Sequence, residues 1–349
     1  GRVVAVETTS AMVRPSDEWM RALPKAEVHL HLEGCVPLPL VERAAERAFA
    51  VSPVAVVDGR PEIDSLPALL AYLDWSCRLI DRSEELEQIA YAISERARES
   101  GALHVDVITN PTHWPAWQPH LPSMIDALEA GFRAAEEDGL GTASLCISLK
   151  RSQSRSEALE LVDLLIDLKS SRVSALSIDG NEAGGAESNN ARFAPAFERA
   201  RAGGLRLCAH AGESSGPEGV REAIEILGAE RIDHGIRALE DEAVVSLVAE
   251  RGVPLDICPS SNVFLGVVAD LATHPIKALM AAGVACSLNT DDPVLYGIDL
   301  AGEYSRCAEA FAWGADELAE VAEVSLQSCF AREDRKKEMQ VLLRGYLNN

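Results

Sequence analysis

Eight short apolar runs recur along this chain, and amphipathic stretches with helical spacing separate them. The runs are Glu27–Leu32, His104–Thr109, Thr142–Ser148, Val173–Ile178, Arg206–His210, Arg231–His234, Pro254–Cys258 and Val284–Leu288. Helix-like patterns fill the intervals at Ser83–Ser100, Met124–Gly139, Ser156–Lys169, Ala194–Ala202, Glu218–Gly228, Asp241–Arg251 and His274–Ala282. Many of these end in Gly, the residue that best adopts the left-handed turn after a helix. Strand–helix alternation repeated eight times predicts an α/β fold of the closed (β/α)8 TIM-type barrel kind. An open doubly wound sheet would carry a Gly-rich phosphate loop after its first strand, and this chain has none there.

The first crossover is too long for a single helix, since residues 33–103 separate the first two runs. It carries helix-like segments near Leu38–Phe49, Leu66–Ile80 and Ser83–Ser100. Insertions after barrel strands sit over the C-terminal face, where active sites lie. Part of this insertion is therefore expected to act as a helical lid, with Leu69, Leu70, Leu73 and Trp75 as candidate apolar walls, although any one of them is more simply read as packing the insertion onto the barrel. No repeat, low-complexity tract or linker divides the chain, so residues 1–349 are expected to form one domain. Residues 1–15 read as a loose tail without the apolar block of a secretory signal. The stretch after Tyr304 is expected to be helical and to close one end of the barrel.

Composition narrows the partners. With 55 acidic against 32 basic residues the net charge is −23, which repels nucleic acid and anionic lipid. A small neutral or weakly basic ligand suits such a surface better. No run of apolar residues is long enough to span a bilayer. The eight cysteines are widely spaced with no Cys-x-x-Cys pair, the pattern of a reduced, cytoplasmic protein. Oligomeric state leaves no signature in the patterning.

Chemistry concentrates at the ends of the predicted strands. His29 and His31 lie two apart in the first, so they share one face. The fifth ends in Cys208-Ala209-His210-Ala211-Gly212-Glu213, the sixth in Ile232-Asp233-His234-Gly235 and the eighth in Ser287-Leu288-Asn289-Thr290-Asp291-Asp292-Pro293. The fourth ends in Ile178-Asp179-Gly180-Asn181-Glu182. Buried histidines are costly unless satisfied, and four of the chain's eight at strand ends are hard to explain as packing. His29, His31, His210 and Asp291 form a candidate metal-ligand set that suits one zinc ion, while iron or manganese could use the same groups. Glu213, three residues past His210, is then a proton donor and shuttle, unless it merely caps the segment at Gly216-Pro217. His234 would orient the attacking water, unless it is a fifth ligand or supports one of the others; Asp291 belongs with the catalytic groups as well as the ligands, and His31 also borders the substrate. Asp292 would hydrogen-bond a substrate ring nitrogen, or else cap the segment that starts at Pro293. His113 and Trp114, just after the second strand, are either pocket wall or packing, and His104 and His274 have no assigned role.

These motifs, in order, resemble the adenosine deaminase family of the amidohydrolase superfamily. The resemblance rests on Pro24-Lys25-Ala26-Glu27-Val28-His29-Leu30-His31-Leu32-Glu33-Gly34, His210-Ala211-Gly212-Glu213, Arg231-Ile232-Asp233-His234-Gly235, Cys258-Pro259-Ser260-Ser261-Asn262 and Ser287-Leu288-Asn289-Thr290-Asp291-Asp292-Pro293. It implies a distorted barrel of the metal-dependent hydrolase kind, one zinc, and hydrolytic loss of the 6-amino group of a purine. By position, His29, His31, His210 and Asp291 match the zinc ligands, and Glu213 matches the residue that protonates purine N1. His234 matches the histidine that acts on the attacking water, Asp292 the aspartate that contacts N7, and Gly180 a glycine whose amide meets N3.

Three departures bear on the substrate. Adenosine-type members carry Gly where this chain has Asp233, and adenine-type members look more like its Arg-Ile-Asp-His-Gly. Asp179-Gly180-Asn181-Glu182 looks closer to the nucleoside type, with Asn181 in place of an acid, and the strand-two end Val105–Trp114 is unlike the usual segment. The expected substrate is adenosine or a related 6-aminopurine nucleoside. The alternatives are adenine or an N6-substituted adenine, and another C–N hydrolysis on a specialised metabolite. A catalytically dead binding protein would lack a ligand or Glu213, and all are present.

Overall fold

Parallel pairing runs through eight strands in chain order. The computed structural model describes residues 13–183 and 190–349, so most of the expected N-terminal tail lies outside the described residues. The strands are β1 (Lys25–His31), β2 (Ala102–Thr109), β3 (Thr142–Lys150), β4 (Val173–Asp179), β5 (Arg206–Ala211), β6 (Arg231–His234), β7 (Leu255–Ile257) and β8 (Cys286–Leu288). Each pairs in parallel with the next. Helices surround them, and the result is the expected (β/α)8 barrel. Its strands read as nearly unbroken apolar runs because they are covered on both faces.

The seam between β8 and β1 is closed by side chains as much as by backbone. Leu30 bridges to Asp291 in parallel, with His31 N donating to Asp291 O at 2.8 Å and Asp291 N to His29 O at 3.1 Å. The Asn289 Oδ1 accepts from Val28 N at 2.8 Å and His29 N at 3.1 Å. The Glu27 carboxylate accepts from Thr290 N and Oγ1 at 2.9 and 2.8 Å. β8 is only three residues long, and these polar side chains satisfy backbone donors that a longer strand would pair.

Within the first crossover, the helix Ser83–Glu99 is an ordinary barrel helix packed on the helix Leu121–Glu137 and on β2. Gly131 permits that approach, since a Cβ there would lie 2.2 Å from the Glu87 carbonyl oxygen. The helices Leu38–Ala48 and Leu66–Arg78, with a short hairpin of Val56–Val57 and Arg60–Pro61, make up the rest. Leu69 and Leu73 are buried, and Trp75 packs on Tyr72 with ring centroids 5.6 Å apart. Leu70 lies one helical step off that stripe, is 46% exposed, and faces solvent instead of a wall.

The N-terminal end of the barrel is filled by an ion cluster. Arg231 opens β6 and lies 2.7 Å from both Asp106 and Asp256, with its guanidinium 3.9 Å above the centre of the Phe330 ring. Arg231, Asp106 and Asp256 are all buried, where a charge persists only if paired. The helices Leu300–Phe311, Ala315–Ser328 and Glu333–Leu347 follow, and Ala315–Ser328 packs on β1 and β8. All eight cysteines are buried and free. Among the described residues no helix is long and apolar enough to cross a membrane.

Candidate active site

Four imidazoles and a carboxylate meet at the C-terminal ends of the strands. The pleat of β1 turns His29 and His31 to one face. His210 arrives from β5, His234 ends β6, and Asp291 follows β8. Asp291 and His234 both hold positive φ, at 65° and 71°. Asp and His tolerate this region better than most residues. At Asp291 it lets the backbone bridge to β1 while the side chain turns to the histidines.

The Asp291 Oδ1 lies 3.0 Å from His31 Nε2 and 3.5 Å from His29 Nε2, and His210 Nε2 is 3.2 Å from His31 Nε2. Candidate donor atoms of His29, His31 and His210 all fall within 4.8 Å of one another. The His29 Nε2 is buried without a hydrogen-bond partner. His29 and His210 each have an acceptor at their other nitrogen. His29 Nδ1 donates to Asp256 O at 2.9 Å, and His210 Nδ1 lies 3.1 Å from Asp233 Oδ2. His31 Nδ1 lies 3.8 Å from Asp179 and 3.9 Å from Glu33. Acceptors behind the rings and lone pairs in front are what metal-ligating histidines require. Three imidazoles and one carboxylate therefore fit a divalent cation. Cys258 belongs to a second group with His29, His234 and Asp291. Its Sγ is 3.2 Å from His29 Nδ1, the nitrogen turned away from Asp291, and burial keeps the thiol well above its usual range.

The neighbouring carboxylates favour the protonated form of His29 and His31. Burial opposes a charge on His29, but Asp233 and Asp291 outweigh it and raise the group to about 9. His31 is raised in the same way, chiefly by Asp291 against burial. Burial lowers His234 well below its usual value, while histidines on every side hold Asp291 low despite burial.

Glu213 Oε2 sits 3.0 Å from His234 Nε2. Burial, then Asp291 and Glu182, raises its carboxyl well above the usual range. Glu182 holds the loop that carries it, accepting from Glu213 N at 3.1 Å, Ser214 N at 2.7 Å and Ser214 Oγ at 3.0 Å. Asp292 is buried with Oδ1 unpartnered, and burial, then Asp291, raises it to about 8. Gly34 makes room for it: a Cβ there would stand 2.1 Å from Asp292 Oδ1. Gly180 follows Asp179 at φ 97° and is exposed, beside Arg151 N.

A buried acid that sequence reasoning passed over joins these groups. Glu33 Oε1 accepts from Asn110 N at 2.7 Å and Trp114 Nε1 at 3.0 Å, while its Oε2 has no partner. Asn110 Nδ2 donates to Asp179 Oδ1 at 2.6 Å. Trp114 is thus fully buried behind Glu33, and His113 pairs with Asp74 of the insertion at 2.7 Å. The signal in the sequence is the acid two residues past His31, just beyond the end of the His-x-His strand.

A sequence profile of the adenosine deaminase family matches residues 24–344. The chain is 35% identical to an adenine deaminase of Rhodospirillum rubrum, over 93% of this chain and 97% of that one. It is 32% identical to an adenosine deaminase of Klebsiella pneumoniae, over 90% of this chain and 96% of that one. The crystal structure of an adenine deaminase from Arthrobacter aurescens superposes with a TM-score of 0.86 at 29% identity, covering 94% of this chain and 100% of that one.

Proposed function

The chain belongs to the adenosine deaminase family and is a hydrolase of C–N bonds, and on that basis we propose that it removes the 6-amino group of adenine. The sequence alone put adenosine first and adenine second. Relatives from R. rubrum and A. aurescens that carry the name adenine deaminase support the reverse order.

The observation that carries the free base over the nucleoside is the unpartnered Oε2 of buried Glu33 beside His31. A buried carboxylate oxygen calls for a donor. Adenine offers a ring N–H at N9 directly, whereas adenosine would have to reach the same oxygen through a ribose hydroxyl; the relatives named adenine deaminase support the first arrangement. Adenosine is the second reading, favoured by the K. pneumoniae relative.

His29, His31, His210 and Asp291 would hold the cation, and imidazole with carboxylate suits zinc. The cation supplies Lewis acidity that makes water nucleophilic near neutral pH. Glu213, kept protonated by its burial, gives its proton to N1 of the purine and takes up the proton that the water loses. His234 holds the attacking oxygen as it bonds to C6. Asp292 contacts N7, and the amide of Gly180 contacts N3. Glu213 passes the water's proton to N6, the C6–N6 bond breaks and ammonia leaves, and the remaining C6–OH proton returns to Glu213 as the 6-oxo group forms.

The test is ammonia release by the zinc-loaded protein from adenine, adenosine, deoxyadenosine and N6-substituted adenines. Adenine is expected to have the highest kcat/KM. Equal or better turnover of adenosine would overturn the preference for the base. No release from any 6-aminopurine with metal bound would overturn deamination.

A further inference from the structure

Asn262 stands between two histidines and can satisfy them in only one way. It lies on the short helix Pro259–Phe264 after β7, and it is fully buried. On one side is His274, which precedes the helix Ile276–Ala281 and is also buried. The backbone N–H of Ile276 donates to His274 Nδ1 at 3.1 Å. A ring nitrogen that accepts from a backbone amide carries no proton, so the proton of a neutral His274 is on Nε2. That Nε2 donates to Asn262 Oδ1 at 2.9 Å. With Oδ1 engaged, the amide NH2 of Asn262 is the group that faces His234 Nδ1, at 3.5 Å.

We propose that His274 and Asn262 are positioning residues that set the tautomer of His234, with Nδ1 as acceptor and the proton on Nε2. That Nε2 is the nitrogen 3.0 Å from Glu213 Oε2 and 3.7 Å from Asp291 Oδ2. His234 is therefore a hydrogen-bond donor toward the reacting atoms, and the base that takes the proton of the water is Glu213. Burial lowers His274 to about 4, so it remains neutral at working pH and its Nδ1 stays available to Ile276. The chain of contacts begins at a backbone amide, which cannot change its role, and this is what gives the relay its direction. Asn262 is itself anchored, since its carbonyl accepts from Val267 N and Val268 N at 2.9 and 3.1 Å.

The tautomer does not depend on the deamination reading; its effect on turnover does. The first test is long-range proton–nitrogen NMR on zinc-loaded protein with 15N-labelled histidine, which reports which ring nitrogen of His234 is protonated. Nε2–H is expected in the wild type and in His274→Gln, whose amide keeps a donor toward Asn262. His274→Leu is expected to give a mixture of tautomers. Asn262→Asp, which offers His234 Nδ1 an acceptor only, is expected to move the proton to Nδ1. On adenine, Asn262→Asp should lower kcat by about 10²-fold or more, with KM within about twofold, the scale of a misplaced imidazole proton. His274→Gln should restore most of what His274→Leu loses. Nδ1–H in the wild type would overturn the proposal, as would an unchanged nitrogen pattern in Asn262→Asp. Should the leucine variant fail to fold, the wild-type spectrum and Asn262→Asp decide alone. An expected nitrogen pattern without turnover of any 6-aminopurine would count against the substrate and leave the relay standing.

Discussion

Asp233 Oδ2 lies 3.1 Å from Nδ1 of His210, and the carboxylate is completely buried beneath the ring. Burial would push this acid up, but His29 and His210 hold it well below the usual carboxylate range. An ionised Asp233 fixes the His210 ring with Nε2 free, toward the other candidate ligands. Replacing it with Asn should weaken zinc binding by about 10–100-fold, the range found when a carboxylate behind a ligating histidine is lost. A competition titration with a chromophoric chelator measures this. Unchanged affinity would mean that His210 does not ligate.

Glu213→Gln keeps the side chain's shape and removes its proton chemistry. The variant should bind zinc as the parent does and lose about 10²–10⁴-fold in kcat on adenine. Metal content and steady-state kinetics on the same preparation separate the two effects. Full turnover in the variant would remove Glu213 from the proton path.

Much of this was legible in sequence, for reasons that show where legibility stops. The barrel strands are buried on both faces, so β2 to β5 appear as apolar runs that local composition alone reveals. His29 and His31 are readable because the period of two within one strand needs no tertiary knowledge. The Glu33–Asn110–Asp179 network joins residues far apart in the chain, and each by itself reads as an ordinary loop polar group. Asp233 marks the adenine type in the sequence, and the relatives named adenine deaminase agree with it; its place beneath the His210 ring is set by the fold, since a strand-end acid can turn toward ligand or under a neighbouring ring. His274 and Asn262 sit 12 residues apart with no periodic relation, so their contact is a product of the loop that folds between them.

Gly34 should not tolerate a methyl group. A Cβ would lie 2.1 Å from Asp292 Oδ1 and 2.5 Å from its Cα, so backbone as well as side chain must move. Gly34→Ala is expected to destabilise by about 1–3 kcal/mol, as other overpacked sites do. It should also raise KM for adenine, because Asp292 is displaced from its place beside Asp291. Calorimetry and initial rates test both. A variant with native KM would show that Asp292 does not touch substrate.

Lys25 gives the fold a pH dependence that can be measured away from the metal site. Its ammonium is buried at the start of β1, donates to Ser100 O at 2.6 Å, and lies 5.2 Å from the centre of the Tyr304 ring. Burial, then the neighbouring Arg21, lowers it from 10.5 to about 7, against opposing pulls from Asp299 and Glu27. Between those two values the unfolded chain holds a proton that the folded chain lacks. Unfolding there takes up a proton, so this residue makes the fold more stable as pH rises from about 7 toward 10.5. Below about 7 both states are protonated and the full penalty of the buried charge applies. Lys25→Met removes the titration, although it also leaves the Ser100 carbonyl without its donor. Urea unfolding of both proteins at intervals from pH 6 to pH 10 should therefore show the wild type gaining on the variant as pH rises through this window. Parallel stability curves would mean that Lys25 stays charged in the folded state throughout, with Ser100 O and the Tyr304 ring compensating its burial.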